Sequence, residues 1–350
     1  MSPAIKINGR QVGAGNPVYV VAEESANHHG SIQQAIRIVE AAAAAGADAV
    51  KLQTYRPDTI TMKSDRECFR ISGGTLWDGR TLHDLYAEAC MPWEWQAELK
   101  RIANGLGMDC FSTAFDATAV DFLESIDVPV HKIASFEIVD IPLIRKMAAT
   151  GKPLIISTGM ATLAEAEEAL AAARQAGARE IALLKCTSAY PAPPAEMHLR
   201  SIPHLSEAFQ VPVGLSDHTL GIAVPVAAAA LGACMIEKHL TLSRSTPGPD
   251  SAFSLEPAEL KAMIDAIRVA EQALGTVCYQ PGGHEAGSYK LRRSLFIVRD
   301  MRAGETFTER NLRSIRPGDG LHPRYLDAIL GRTARTAIAA GTPAAWDLVA

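Results

Sequence analysis

Short apolar runs alternate with helical patterns along most of the chain. The runs are typical of buried parallel strands, and they lie at 18–23, 49–53, 109–113, 131–135, 154–158, 181–187, 213–218 and 234–240. The helical patterns between them include 31–45, 93–106, 163–176, 221–231 and 257–274. Eight strand–helix units predict a (β/α)8 TIM barrel, with a doubly wound open sheet as the structural alternative.

Turn and cap residues support this division. Ser31 and Thr162 precede helical patterns, as N-caps do. Glycines that follow helical patterns are typical of left-handed C-caps, and they are Gly46, Gly107, Gly151, Gly177 and Gly232. Before the first strand, Asn-Gly between apolar residues predicts a β-hairpin within 4–12.

Polar residues end nearly every predicted strand, and active sites of such barrels lie at that end. They are Glu23, Lys51, Gln53, Thr113, Lys132, Ser135, Ser157, Lys185, Thr187, Ser216, His218, Glu237 and His239. These strand ends meet at one open end of the barrel, here called the mouth. Two or three lysines and four hydroxyls at the mouth indicate a phosphate-bearing anionic substrate. The plain alternative for each Ser or Thr is a helix cap. Lys132 and Ser135 have opposite parity, so both face inward only if a bulge or the strand end intervenes.

Two histidines end neighbouring predicted strands in the same register. Alternation places Ser216 with His218 on one side, and Glu237 with His239 on the same side of the next strand. Two imidazoles at one mouth favour a divalent metal with open coordination positions. The alternative is that each histidine only binds a loop by a hydrogen bond.

Three further stretches fall outside the barrel pattern. The segment 54–92, here called the lid segment, is long for a connection, so it is either a functional lid or a packed loop. Gly, Pro and polar residues mark 276–292 as a linker. The tail 293–350 contains two loosely repeated runs, 299–307 and 335–343, which predict a small β-rich domain. The loop between them carries Arg316, for which the plain reading is a surface charge.

Composition narrows the class of protein. The chain has 350 residues and a net charge of −5 with mixed signs, so nucleic acid is not indicated as a partner. No basic start with an apolar core and no apolar run long enough for a bilayer is present in the sequence, so neither a signal peptide nor a membrane span is expected. Six scattered cysteines without C-x-x-C spacing favour reduced thiols and a cytoplasmic enzyme.

The chain resembles the sialic acid synthase family. The resemblance rests on Ala-Glu-x-x-x-Asn-His (22–28), Lys-Ile-Ala-Ser-x-Glu (132–137), Lys-Cys-Thr-x-x-Tyr-Pro (185–191), Gly-Leu-Ser-Asp-His (214–218), Ile-Glu-Lys-His (236–239), Gly-Pro-Asp (248–250) and Arg-Pro-Gly (316–318). It covers essentially the whole chain. It implies a barrel synthase domain at 1–275, a linker at 276–292 and a C-terminal SAF, or antifreeze-like, domain at 293–350.

The resemblance also implies an activity and residue roles. The enzymes condense phosphoenolpyruvate with an N-acetylated amino sugar to a nonulosonic acid and release phosphate by C–O cleavage. Phosphoenolpyruvate would bind Lys51, Thr113, Lys132, Ser135, Ser157 and Ser216. The sugar would contact Gln53, Glu137, Tyr190, Asp250 and Arg316. The catalytic set would be Glu23, Lys51, Lys132, His218, His239 and Asp250.

The same resemblance implies a cofactor, an assembly and a branch. His218 and His239 would hold Mn²⁺, or Mg²⁺ or Co²⁺, and the tail would cover the partner's mouth in a domain-swapped homodimer. Gly-Gly-Thr-Leu-Trp-Asp-Gly at 73–79 looks most like the pseudaminic acid branch, which uses 2,4-diacetamido-2,4,6-trideoxy-altrose. Glu24 replaces the apolar residue usual in that branch and is expected to point away from the mouth.

Several other functions remain open from the sequence. Within the family, the alternative is an N-acetylneuraminate or legionaminate synthase. Outside it, the alternatives are a catalytically silent sugar- or phosphate-binding protein and an ice-binding or structural protein. The sequence also leaves open whether Glu23 or Asp250 orients the attacking water.

Overall fold

The computed structural model describes residues 4–280 and 282–350. The chain divides into two compact units, Met1–Gly275 and Thr276–Ala350. Each unit has a hydrophobic core of its own. In the ranges described, no helix is both long and apolar enough to cross a bilayer.

The first unit contains ten strands and ten α-helices within the described range. The strands are β1 Ala4–Ile7, β2 Arg10–Gly13, β3 Tyr19–Glu23, β4 Ala49–Thr54, β5 Asp109–Ala114, β6 His131–Ile133, β7 Leu154–Ser157, β8 Ile181–Cys186, β9 Val213–Asp217 and β10 Met235–His239. The helices are α1 Ile32–Ala45, α2 Pro57–Ile60, α3 Leu82–Ala89, α4 Trp93–Gly105, α5 Ala117–Ser125, α6 Ile141–Ala148, α7 Leu163–Gln175, α8 Ser201–Phe209, α9 Ala223–Ala230 and α10 Pro257–Leu274.

Strands β3 to β10 form a closed parallel barrel, which confirms the predicted fold. Closure is made by β10, which pairs with β3 on one side and with β9 on the other. An open doubly wound sheet would leave two strand edges unpaired, so this pairing decides between the two predicted architectures. Every residue of β3, β9 and β10 is buried, as is typical of strands in a parallel barrel.

The N-terminal hairpin lies against the amino-terminal ends of the barrel strands. Asn8 and Gly9 have φ angles of 45° and 88° and form the turn between β1 and β2, as the Asn-Gly pair predicts. The Asn8 amide donates to Asp109 Oδ1 over 2.9 Å at the start of β5. The backbone N–H of Lys6 donates to Glu180 over 2.8 Å, just before β8.

The predicted strand ends agree with the structure within two residues, and β6 is the informative difference. It was expected to reach residue 135 but ends at Ile133. Ser135–Glu137 then form a 3₁₀ turn. The strand end therefore intervenes between Lys132 and Ser135, which is the condition under which both can face inward.

The lid segment has regular structure of its own. It contains α2, α3 and a short 3₁₀ turn at Glu67–Phe69. Arg70 and Thr81 form an isolated antiparallel bridge, and the Asp78 carboxylate accepts the backbone N–H groups of Gly74 and Thr75 over 2.8 and 2.9 Å. These contacts give the segment a defined shape.

The second unit is small and rich in antiparallel pairing. Strand β11 (Ser294–Ile297) pairs with β12 (Leu312–Ile315), and α11 spans Leu326–Ile329. The two repeated runs contact each other through an isolated bridge between Met301 and Ile338. Within the stretch expected to be a linker, Ala286–Leu291 form a 3₁₀ helix.

Candidate active site

The carboxyl ends of the barrel strands surround a cavity of about 360 Å³. All of the barrel residues predicted for the site line it: Glu23, Lys51, Gln53, Thr113, Lys132, Ser135, Glu137, Ser157, Tyr190, Ser216, His218, His239 and Asp250. Arg316 belongs to the second unit, where it is exposed just after β12. The topology therefore brings together residues that are more than two hundred positions apart in the sequence.

Lys51 is buried within β4 and is paired with carboxylates. Its Nζ lies 2.7 Å from Glu23 Oε2 and 3.5 Å from Glu237 Oε1, and it donates to Thr113 Oγ1 over 3.0 Å. Burial opposes the charge on Lys51, but the two carboxylates outweigh it and raise its pKa. Lys51 is therefore a fixed cation at the floor of the cavity.

Lys132 is the buried cation that lacks an anionic partner. It is 1% exposed, and its Nζ donates to Ser157 Oγ over 2.5 Å and to the backbone carbonyl of Ile133 over 3.1 Å. Among the described residues, no carboxylate lies within ion-pair distance of it. Burial lowers the pKa of Lys132 although Glu237 opposes this. A buried ammonium without a counter-ion is unfavourable, and an anionic ligand bound beside it would remove that cost.

Lys185 does not reach the cavity, although its position near a strand end suggested it as the third lysine. Its Nζ donates to the backbone carbonyl of Cys186 over 2.7 Å and to Thr187 Oγ1 over 3.2 Å. Its side chain lines a separate hollow with Thr158 and Leu163, on the opposite side of β8 from the mouth. The cavity therefore contains two lysines rather than three.

The carboxylates that line the cavity with the two lysines are Glu23, Glu137, Glu237 and Asp250. Glu23 has its pKa raised to about 7, because burial outweighs the attraction of Lys51. Glu237 accepts from Ser216 Oγ over 3.0 Å, and its pKa is lowered because Lys132 and Lys51 outweigh the effect of burial. Burial also raises the pKa of Asp250. The cavity thus holds groups that can accept protons next to fixed cations.

The two histidines meet at the mouth as their register predicts. Their ring centroids are 5.2 Å apart. His218 Nδ1 lies 3.0 Å from the backbone carbonyl of Thr187, and because a carbonyl only accepts, Nδ1 carries a proton. Burial opposes a charge on His218, but Cys186 and the Thr187 carbonyl outweigh it and raise the pKa of this ring. His239 Nδ1 lies 4.0 Å from Asp250 Oδ2. Burial, helped by the charge of nearby groups, holds the pKa of His239 well below its usual value, so this ring is neutral.

An apolar wall faces this polar cluster. It is built mainly from the lid segment and comprises Tyr55, Ile60, Ile71, Trp77, Leu82, Leu85, Tyr86, Ala89 and Phe115. Trp77 anchors the wall, since its indole N–H donates to the carbonyl of Pro249 over 3.0 Å and its ring lies 5.5 Å from that of Tyr190. One side of the cavity is therefore suited to charged groups of a ligand and the other to its apolar groups.

Comparisons with known proteins agree with this geometry. The model of the NeuB family matches residues 38–279, and that of the SAF domain matches residues 292–350. The chain belongs to the NeuB family. The pseudaminic acid synthase of Helicobacter pylori is 44% identical over 334 residues, which cover 95% of this chain and 97% of that protein.

Other known proteins are also similar to this chain. The N,N'-diacetyllegionaminic acid synthase of Legionella pneumophila is 37% identical over 98% of each chain. The crystal structure of N-acetylneuraminic acid synthetase from Leptospira borgpetersenii, in complex with citrate, has a TM-score of 0.72 and 31% identity, over 82% of this chain and 95% of that one.

Sequence reasoning left several cavity residues of this NeuB-family chain without a role. They include Ser25, Cys186 and Glu237. Glu237 was expected on the same side of its strand as His239, and it was given no role there. Cys186 lies 3.9 Å from His218 Nδ1, and like Cys110 and Cys234 it is buried and free, as expected. No sequence pattern assigned Ser25 to the site, because it lies in the turn after the strand, where side-chain alternation no longer applies.

The two histidines fit a bound divalent ion. His239 Nδ1 is buried and has no hydrogen-bond partner within 4–280 and 282–350, so it lacks the partner that a metal would supply. No group of three close His, Cys, Asp or Glu side chains is present in those ranges. A site made by two imidazoles would leave positions open for water and substrate oxygen.

Proposed function

We propose that the chain is a pseudaminic acid synthase. It condenses phosphoenolpyruvate with 2,4-diacetamido-2,4,6-trideoxy-altropyranose and releases phosphate by C–O cleavage. The observation that carries the proposal is the buried, unpaired Lys132 beside Lys51, at the floor of a cavity whose opposite wall is apolar. The 44% identity to the Helicobacter pylori enzyme selects this branch over the others.

Phosphoenolpyruvate is assigned to the lysine side of the cavity. Lys51 and Lys132 would neutralise its phosphate and carboxylate, since ammonium groups bind such oxyanions strongly where water is excluded. The hydroxyls of Thr113, Ser135, Ser157 and Ser216 would complete the contacts. Lys51 and Lys132 already bond Thr113 and Ser157, so the lysines and hydroxyls are held in place before the ligand arrives.

The sugar is assigned to the space between the acid cluster and the apolar wall. Its open-chain aldehyde accepts attack by C3 of phosphoenolpyruvate, water adds at C2, and the tetrahedral intermediate loses phosphate. Glu23 and Asp250 are the carboxylates available to orient and deprotonate that water. Gln53, Glu137 and Tyr190 would bind the sugar's polar groups.

His218 and His239 are proposed to hold a divalent ion, with Mn²⁺ preferred and Mg²⁺ or Co²⁺ as alternatives. When bound, such an ion supplies Lewis acidity toward the sugar's aldehyde oxygen. The protein's part is to keep the His239 ring neutral by burial and to fix the orientation of the His218 ring. The Thr187 carbonyl fixes the His218 ring by holding its Nδ1 proton.

Binding of phosphoenolpyruvate by the wild-type protein and two variants tests the assignment. Lys132→Met keeps the size of the buried side chain but removes its charge. A lost charge-assisted contact is worth about 1.5–3 kcal/mol, so affinity should fall about ten- to a hundredfold. Lys185→Met is the matched control, because Lys185 lies near the end of the same barrel but faces away from the cavity. Equal affinity of Lys132→Met and wild type in isothermal titration calorimetry would refute the assignment.

A second candidate is a synthase of the legionaminic or neuraminic branch. This candidate is supported by the N,N'-diacetyllegionaminic acid synthase of Legionella pneumophila, which is 37% identical to this chain over 98% of its length. Both candidates use the same lysines, so binding of phosphoenolpyruvate does not separate them. The choice of sugar does, because a site that is built to pair a polar group discriminates strongly against a substrate lacking it.

We propose a domain-swapped homodimer in which Arg316 of one subunit reaches the sugar in its partner, with residues 276–292 as the linker. A stretch of roughly eighteen residues at about 3.3 Å each can reach about 60 Å, so length excludes neither a swapped nor an unswapped arrangement. Large exposed apolar side chains on the loops after β6, β7 and β9 support the proposal that the partner's tail covers the mouth. They are Phe136, Val139, Met160 and Leu220. Apolar groups at such a rim are typical of an interaction surface.

We propose a cytoplasmic location. All six cysteines fall within the described ranges and are free, including the exposed Cys68 and Cys278. Free exposed thiols suit a reducing compartment. Fractionation of cells that produce the protein, followed by immunodetection, would test the location.

A further inference from the structure

The turn that follows β3 holds Ser25 in a backbone conformation that serine rarely adopts. Its φ angle is 54°, in the left-handed region. The backbone N–H of Asn27 donates to the carbonyl of Glu24 over 3.2 Å, so Ser25 occupies the second position of a tight turn. Turns with a positive φ at that position are dominated by Gly, Asn and Asp. A serine here is strained, whereas a glycine would not be.

The hydroxyl of Ser25 gives a reason for that strain. The side chain is 1% exposed and lines the cavity. Its Oγ donates to Asp250 Oδ2 and accepts from Gln53 Nε2 over 2.9 Å. The same Gln53 nitrogen donates to Glu23 Oε1 over 3.0 Å. Ser25 is thus the link that joins Glu23 and Gln53 on the barrel strands to Asp250 on the distant loop after β10.

We propose that Ser25 is a positioning residue for the sugar site, and that its hydroxyl aims Asp250 and Gln53 at the sugar. The inference rests on the proposed function. Strained residues persist where the surrounding structure and a functional constraint hold them. Without the hydroxyl, the Asp250 carboxylate loses a donor, and Gln53 loses one of the two acceptors that fix its amide orientation.

Two variants separate the hydroxyl from the strain. Ser25→Ala removes the hydroxyl and keeps the strain, whereas Ser25→Gly removes both. Ser25→Gly should therefore melt at a higher temperature than Ser25→Ala. Both variants should show the same defect with the sugar, because both lack the hydroxyl. Loss of a hydrogen bond to a buried carboxylate predicts a fall of about ten- to a hundredfold in kcat/KM for the sugar.

The experiment measures thermal unfolding, the Kd for phosphoenolpyruvate, and kcat and KM for the sugar in wild type and both variants. Unchanged affinity for phosphoenolpyruvate with an equal loss in sugar turnover supports the inference. Normal sugar kinetics in the stable Ser25→Gly variant would overturn it, because the serine would then have only a structural effect. A wild-type protein that turns over no sugar would overturn the proposed function itself, and this inference with it.

Discussion

Replacing Glu24 by leucine should stabilise the barrel. Glu24 directly follows β3, is fully buried, and does not line the cavity, in agreement with the expectation that it points away from the mouth. Neither carboxyl oxygen has a hydrogen-bond partner within the described residues. Burial raises the pKa of Glu24 well above its usual value, and Glu23 and Asp250 raise it further.

Two contributions set the size of the effect. Burying a polar group without a hydrogen bond costs about 1–3 kcal/mol in mutational data. In addition, the folded protein binds a proton that the unfolded chain releases above pH of about 4.3, so stability falls as pH rises from there toward the folded pKa. That loss is about 1.4 kcal/mol per pH unit in this window. The first contribution alone should raise the melting temperature by about 2–5 °C for a unit of this size.

Thermal unfolding between pH 5 and pH 8 measures both contributions. Glu24→Leu should melt higher than wild type, with a difference that grows as pH rises. Glu24→Gln should reduce the pH dependence but keep most of the polar burial cost, since it removes only the titration. Glu40→Leu, an exposed site on α1, is the control for an added leucine. A Glu24→Leu protein that melts lower than wild type, or that keeps the full pH slope, would refute this reasoning.

Three further predictions concern the site and its frame. Lys238→Met should destabilise the protein by about 3–5 kcal/mol in denaturant titrations, because it leaves the fully buried Asp217 unpaired behind the turn that carries His218. His218→Ala should lose Mn²⁺ binding in equilibrium dialysis while its circular dichroism spectrum is unchanged. Full activity of this variant in excess EDTA would refute the metal assignment. Mixed dimers of inactive Arg316→Ala and inactive Lys132→Ala should regain activity, and verified heterodimers that stay inactive would show that the site is assembled within one subunit.

The sequence predicts the barrel well because eight short strand-like runs alternate with helical patterns, and nearly every run ends in polar residues. Parallel strands present their carboxyl ends at one face, so the position of Lys51, Lys132 and the two histidines at one cavity followed from the order of the elements. Ser135 was harder to place, since its inward orientation depends on the end of β6 at Ile133. The alternation of side chains along a strand does not show where the strand ends, so it could not predict the end of β6.

Side-chain direction at strand ends was the main limit of the sequence. Lys185 and Lys51 both lie in barrel strands, but Lys185 lines a separate hollow and not the cavity. Ser25 was missed because its role depends on a positive φ and on Asp250, which is 225 positions away. Such pairings come from closure of the barrel and have no local pattern.

One measurement tests the central proposal most directly. Purified protein, Mn²⁺ and phosphoenolpyruvate labelled with ¹⁸O at the bridging C2 oxygen are incubated with 2,4-diacetamido-2,4,6-trideoxy-altropyranose or with N-acetylmannosamine, and phosphate and product are analysed by mass spectrometry. We predict labelled phosphate and a nonulosonic acid from the diacetamido sugar, with a much higher kcat/KM than for N-acetylmannosamine. Comparable kcat/KM for both sugars would contradict the assigned branch. Unlabelled phosphate, or no phosphate with either sugar, would contradict the proposed reaction.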